Sequence, residues 1–176
     1  MREAPQELVE RARRGDGWAF EQLVHDHERS LLSLALDMVG SVADAQDVYQ
    51  EALLAAFRGL PRFRGDSQFS TWLYRIVVHE AQRHRDVVHR AAAEARHETA
   101  EAADEGVLTT ELAQQLRNAL DELSGQERTA FVLCHRQGMR VDHAAALMEC
   151  SAGAVKSYLF RGRAKVRTAL APYLER

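Results

Sequence analysis

The chain has 176 residues, 46% of them hydrophobic, with ten glycines and three prolines. That suffices for one large domain or two small ones with real cores, and two cysteines exclude a disulfide framework. The formal net charge of −3 argues against a uniformly basic nucleic-acid binder but hides an asymmetry. Residues 131–176 carry eight basic against three acidic side chains, a balance of +5, and residues 91–111 carry one arginine against six acids, −5. Residues 1–90 stand at −2 and residues 112–130 at −1. A basic end masked by an acidic middle predicts different partners for different parts.

No stretch approaches the roughly 18 apolar residues of a membrane span. Met1-Arg2-Glu3-Ala4-Pro5 lacks the apolar core of a signal peptide, so a soluble, cytoplasmic chain without membrane insertion is expected. Residues 5–40 read as helices, with Leu8, Val9 and Ala12, then Phe20, Leu23, Val24, Leu31, Leu34, Ala35 and Met38 near 3.6 spacing. Gly15-Asp16-Gly17 is the expected break and Gly40 the expected stop. Ser41 with Asp44 resembles a capping box, opening a helix to about Leu60 that Pro61 ends. Arg62 to Ser70 reads as a loop, and Thr71 to about His89 as a further helix.

From Ala91 to Gly106 the chain is rich in Ala and Glu and has no apolar stripe to bury. A helix is expected over Leu108 to Leu123. Ser124-Gly-Gln-Glu127 is a full capping box for a helix through Gln137, stopped by Gly138. Val141 to Met148 then reads as a supporting helix, Glu149 to Ala152 as a turn, and Gly153 onward as a second, basic helix: a helix-turn-helix. Its Val155, Leu159, Val166 and Leu170 can face a core, leaving Lys156, Ser157, Phe160, Arg161, Arg163 and Arg167 on other faces. The expected fold is all-α: two small helical domains, 1–90 and 112–176, joined by a flexible acidic linker over 91–111. Cys134 and Cys150 are expected as buried thiols.

Three segments combine into a functional reading. In Asp44-Ala-Gln-Asp-Val-Tyr-Gln-Glu51 the polar groups at 44, 47, 50 and 51 share one broad helix face, opposite Ala45, Val48, Ala52 and Ala56. Such an acidic face is either simply solvated or suits a basic partner. Between 62 and 85, Arg62, Arg64, Arg75, Arg83 and Arg85 interleave with Phe63, Phe69, Trp72 and Tyr74. Arginines neutralise phosphates and aromatics stack on unpaired bases, although Trp72 and Ile76, four apart, equally suit a core. The basic face of the last helix suits a DNA groove, and Ser151 is a credible N-cap there.

Taken together, Asp44-Ala-x-Asp-x-x-Gln-Glu51, Phe69-Ser-Thr-Trp-Leu-Tyr-Arg-Ile76 and Gly153-Ala-Val-Lys-Ser-Tyr-Leu-Phe-Arg161 resemble an extracytoplasmic-function (ECF) sigma factor. These are the two-domain members of the sigma-70 family, with regions 2 and 4 alone. The resemblance covers nearly the whole chain, and three motifs in order are more specific than any one. It implies a monomeric transcription initiation factor that binds core RNA polymerase through the β′ clamp helices and the β flap. Asp44, Asp47, Gln50 and Glu51 fall where the family docks on the clamp helices. Arg62, Phe63, Arg64, Ser67, Trp72, Arg75, His79 and Arg83 fall where the −10 element is bound and opened. Lys156, Ser157, Phe160, Arg161 and Arg163 fall where the −35 element is read, Arg163 and Arg167 as phosphate contacts.

Promoter DNA and an anti-sigma factor are thus expected partners. No long extension follows Leu170 to serve as a built-in sensor, so regulation is expected from outside. The chain departs from the family at His79, where Asn is frequent, and at Arg83, which makes that face more basic. Glu149 stands where the turn often has Gly, and Arg140 where a Ser cap is usual.

An enzyme is not expected, and neither is a cofactor. His25 and His27 point to different sides of a helix, and His79, His84, His89, His135 and His143 lack Cys or carboxylate partners at ligand spacing. There is no Gly-rich phosphate loop, nucleophile elbow or paired-carboxylate site. A stand-alone helix-turn-helix regulator leaves the 44–51 and 62–72 motifs unexplained. A decoy for polymerase or for an anti-sigma factor leaves the DNA-facing residues idle.

Overall fold

The computed structural model describes residues 5–95, 115–116 and 118–174. Their secondary structure is helical throughout, and none of these helices is long and apolar enough to cross a membrane. Contacts divide the chain into two compact units, Met1–Ala81 and Gln82–Arg176.

In the first unit, α1 (Pro5–Arg13) and α2 (Gly17–His25) are joined through the expected break. Asp16 caps α2 by accepting from the Ala19 N–H at 3.1 Å, and Arg11 grips the same carboxylate from α1 at 2.7 and 2.9 Å. The Arg11 guanidinium and the Ala19 amide hold the Asp16 carboxyl below the usual range. A second break, at Asp26 and His27, precedes α3 (Glu28–Val39). No glycine or proline marks it; the His27 N–H turns back to the Val24 carbonyl at 2.8 Å. Gly40, at φ 84°, ends α3 in the left-handed conformation that glycine adopts without a Cβ penalty. Ser41 then caps α4 (Val42–Gly59).

Leu31, Leu34, Ala35 and Met38 of α3 are buried, as are Ala45, Val48, Ala52 and Ala56 of α4, and the two helices pack together. The alanines let the backbones approach, while each buried leucine contributes roughly 1.5–3 kcal/mol. A 3₁₀ turn (Leu60–Arg62) follows α4. A second cluster joins Ala12, Ala19, Leu23, Leu60 and Phe63, with Leu8, Val9, Phe20, Phe69 and Trp72 packed against it. It fixes the loop of residues 63–68 between the 3₁₀ turn and α5 (Phe69–Ala95). α5 runs further than the Thr71–His89 span expected. The remainder of the expected acidic linker, and most of the helix expected before Leu123, lie outside the described residues.

In the second unit, residues 118–121 are helical and Ser124 opens α6 (Gly125–Phe131) with the predicted capping box. The Ser124 N–H donates to Glu127 Oε2 at 3.1 Å and the Glu127 N–H to Ser124 Oγ at 3.3 Å. The helix expected to continue to Gln137 widens at Val132–Arg136 into a π turn, closed by the Gln137 N–H on the Val132 carbonyl at 2.9 Å. Val132 and Leu133, at its start, are both buried, 1% and 0% exposed. Hydrophobic spacing alone carries no sign of that extra residue.

α7 (Val141–Leu147) and α8 (Ala152–Leu174) form the helix-turn-helix. α7 starts directly after Arg140, whose side chain gives it no capping bond. Glu149 sits in the turn at φ 51°, a left-handed conformation that costs a residue with a Cβ about 1–2 kcal/mol. α6 and α7 both pack on α8. Val155 and Leu159 are buried, while Val166 and Leu170 are only half-buried. Gly162 is buried between those pairs, and a Cβ there would meet the Glu127 carbonyl oxygen at 3.7 Å, an ordinary contact. The cysteine expectation needs correcting: Cys134 and Cys150 are free thiols, half-buried rather than buried. Cys134 lies within the π turn and Cys150 in the turn before α8. Burial pushes the Cys134 thiol up, against the pull of Arg163.

Candidate nucleic-acid and protein interfaces

The acidic face of α4 is built by opposition. Ala45, Val48, Ala52 and Ala56 are 0–3% exposed, which turns Asp47, Gln50 and Glu51 outward; Asp44, in the first turn, is half-buried. One turn beyond Gln50 and Glu51, Leu54 is 48% exposed and continues the same face. Phe57 follows, its ring edge-on to Phe20 at 5.3 Å. Sequence reasoning missed Leu54, and the signal was there: an apolar residue seven positions after Asp47 belongs to the polar face. The resulting surface is acidic with an apolar patch at one end, suited to a basic, partly apolar partner.

The loop after the 3₁₀ turn combines rigid aromatics with exposed arginines. Phe63 packs against Trp72 at 5.0 Å and Phe69 at 6.2 Å, and Phe69 against Trp72 at 5.8 Å. Phe63 is buried at 9% exposure, so its ring offers no open face to a base. Trp72 is half-buried and lies on Gly59, where a Cβ would come 3.3 Å from its ring. Both aromatics therefore anchor the loop. Arg62 and Arg64 project from it, with Ser67 half-buried. Along α5, Arg75, His79 and Arg83 recur every four residues, His79 and Arg83 exposed and Arg75 half-buried. Arg85 differs. It is bound within the second unit, reaching Asp121 at 3.5 Å beside Arg128, which holds the same carboxylate at 2.9 Å. Burial and Arg128 bring the Arg85 pKa down to about 10, against the pull of Asp121 and Asp86. Gln82, one turn earlier, donates to Thr129 Oγ1 at 2.8 Å.

On α8 the Ser151 hydroxyl caps the helix by accepting from the Ala154 N–H at 3.1 Å. Lys156 and Ser157 are exposed; the Ser157 hydroxyl donates to the Gly153 carbonyl at 3.0 Å, leaving its lone pairs open. Phe160 is 76% exposed, the barest of the large apolar side chains among the described residues. The arginines beside it do two jobs. Arg161 Nε donates to Glu127 Oε1 at 3.0 Å and its guanidinium lies over the Tyr158 ring at 5.2 Å. Lys165 reaches Glu127 Oε2 at 2.7 Å. Glu127 is buried, 6% exposed in its side chain. Burial alone would raise its pKa, but the bonds from Lys165, the Ser124 N–H and Arg161 outweigh this and bring it down to about 2. Arg163 Nε donates to His135 Nε2 at 2.8 Å, which requires a neutral ring protonated on Nδ1. Burial and Arg163 lower the His135 pKa accordingly. Sequence spacing placed the cations on α8 but could not show that three of them are held from α6 and the π turn.

Comparison with known proteins shows the family. The sigma-70 region 2 model matches residues 23–104 and the sigma-70 region 4 model residues 113–166. The chain is 36% identical to RNA polymerase sigma-H factor of Pseudomonas aeruginosa, covering 98% of this chain and 96% of that protein. It is 34% identical to the ECF RNA polymerase sigma-E factor of Escherichia coli, covering 97% and 96%. Among solved structures it is similar to CnrH in complex with the cytosolic domain of CnrY, with TM-score 0.68, 28% identity and 97% and 99% coverage. It is also similar to RpoE in complex with the anti-sigma factor NepR from Bartonella quintana, with TM-score 0.63, 25% identity and 86% and 96% coverage. A sigma factor is a transcription initiation factor and not an enzyme. The chain belongs to the sigma-70 family, as an ECF sigma factor.

Proposed function

We propose that the protein directs core RNA polymerase to its own set of promoters and helps open them, with an anti-sigma factor holding it off the polymerase. The observation that carries this reading is the pairing, in one chain, of an outward acidic helix face with a helix-turn-helix whose reading face is basic and aromatic. A duplex-binding regulator needs only the second.

Asp47, Gln50 and Glu51, with Asp44 and Leu54, dock on the β′ clamp helices, where acid and apolar contacts complement a basic helical hairpin. Arg62, Arg64, Ser67, Arg75, His79 and Arg83 take the phosphates and bases of the −10 region, on a loop that Phe63 and Trp72 hold in shape. Lys156, Ser157 and Phe160 enter the major groove of the −35 element. Lysine suits guanine acceptors, and the open phenyl ring suits a thymine methyl. Arg161 contacts DNA only with the part of its guanidinium that Glu127 leaves, and Arg163 and Arg167 are phosphate contacts. The functional division is 1–90 for core binding and the −10 region, 91–111 for spacing, and 112–176 for the −35 element. The anti-sigma factor follows from the relatives solved with one; it covers the surfaces that polymerase and DNA need.

The test is transcription from fragmented genomic DNA by purified core polymerase with and without this protein. A restricted set of new start sites sharing two elements supports the reading. Duplex binding without core, and no new transcripts, sinks it.

A further inference from the structure

Trp18, in the first turn of α2, is 53% exposed, whereas the neighbouring Ala19 is 0% exposed. Its indole is not loose. The Arg11 guanidinium lies 5.0 Å from the ring centroid, and Arg11 is fixed by its two bonds to Asp16, the residue that caps α2. One face of the ring is thus backed by a cation while much of its surface stays in water. Trp18 lines an open groove of about 1530 Å³ that the loop also lines, through Phe63, Arg64, Ser67 and Phe69. That is larger than a typical small-molecule pocket. Gln22 and Arg13 line the groove too, as do the acids Glu10 and Asp26, so charge alone does not select its occupant. A pre-oriented indole in one groove with an arginine-bearing loop suits a flat ring attached to a phosphate.

We propose that Trp18 is a stacking platform for a base of the opened non-template strand that enters the groove beside the 63–68 loop. This rests on the −10 reading of that loop. The base lies on the open surface of the indole, with the Arg64 guanidinium toward the phosphate and Ser67 toward the base edge. Arg11, behind the ring, is a positioning residue.

The test uses holoenzyme reconstituted from core polymerase and full-length protein, on a promoter that this holoenzyme selects from a randomised pool. 2-Aminopurine is placed in turn at each non-template position of the melted region. One position should be quenched with the unaltered protein and with Trp18→Phe, and recover its emission with Trp18→Ala. Open-complex lifetime should fall roughly tenfold in Trp18→Ala, about 1.4 kcal/mol, and return most of the way in Trp18→Phe. No position sensitive to residue 18, or an unchanged lifetime in Trp18→Ala, overturns the proposal. Arg64→Ala separates it from the reading beneath it. If Arg64→Ala shortens the lifetime and Trp18→Ala does not, only the platform is wrong; if neither does, the −10 reading of the loop falls with it.

Discussion

The two helices proposed for recognition combine packing and partner contact in opposite ways. On α4, packing and recognition occupy opposite faces: alanines and a valine are buried while Asp47, Gln50, Glu51 and Leu54 point out. On α8 they share residues, because Arg161 and Lys165 both bind the buried Glu127 and Arg163 holds His135. A substitution on the outer face of α4 therefore reports on a partner alone. On α8 only Lys156, Ser157 and Phe160 do; Arg161 and Arg163 report on the fold as well.

The largest expected effect follows from α4. Reversing two charges at a complementary interface, Asp47→Lys with Glu51→Lys, should weaken core-polymerase binding by about 3 kcal/mol, roughly a hundredfold. The melting temperature should stay within a degree or two, since both residues are exposed. A matching loss of stability would show that this face is also structural.

Next comes Glu127→Gln, which removes the carboxylate that Arg161, Lys165 and the Ser124 N–H all bind. It should cost about 2 kcal/mol of stability in denaturant melts. The pH dependence has a definite sign. The folded pKa of about 2 lies below the ordinary 4.5, so this carboxylate stabilises the fold fully above pH 4.5 and progressively less as pH falls toward 2. The gap between wild type and Glu127→Gln should close over that window; a constant gap would mean the ion pairs contribute nothing.

The α8 substitutions sharpen the comparison directly. Phe160→Ala or Lys156→Ala should each weaken −35 binding by about 1–3 kcal/mol with stability unchanged within about 0.5 kcal/mol. Arg161→Ala should lose both, because it leaves Glu127 with one cation fewer. Equal stability in Phe160→Ala and Arg161→Ala would refute the shared role.

The smallest effect belongs to the turn. Glu149→Gly relieves the left-handed strain at φ 51° but loosens the unfolded chain and gives up the interaction Glu149 makes. The net gain should be about 0.5 kcal/mol, read from the shift in melting temperature.

Much of this arrangement was legible in the sequence, for reasons that differ by region. The opposed faces of α4 and the Val155 and Leu159 stripe of α8 are periodicities, and period reports burial directly. The Ser124–Glu127 capping box and the Gly40 stop are local chemistry written in adjacent residues. The break at Asp26 and His27, the π turn at Val132–Arg136 and the continuation of α5 to Ala95 carry no such mark. Each depends on tertiary packing or on one extra residue in a turn. At the interfaces, motif order pointed to Asp47, Glu51, Lys156 and Phe160, all of which stand exposed. For Phe63 and Trp72 composition left stacking on a base and packing in a core both open; Phe63 is buried and Trp72 half-buried. Among the described residues of the first unit the most exposed aromatic, Trp18, lies outside the motifs altogether.

The most direct test of the division between the two helices is run-off transcription from a selected promoter over a range of core-polymerase concentrations. The Asp47→Lys, Glu51→Lys protein should recover near-normal transcription at about a hundredfold more core. The Lys156→Ala, Phe160→Ala protein should remain deficient at every core concentration and recover only with more promoter DNA. If excess core rescues both proteins alike, or neither, the assignment of polymerase to α4 and DNA to α8 is wrong.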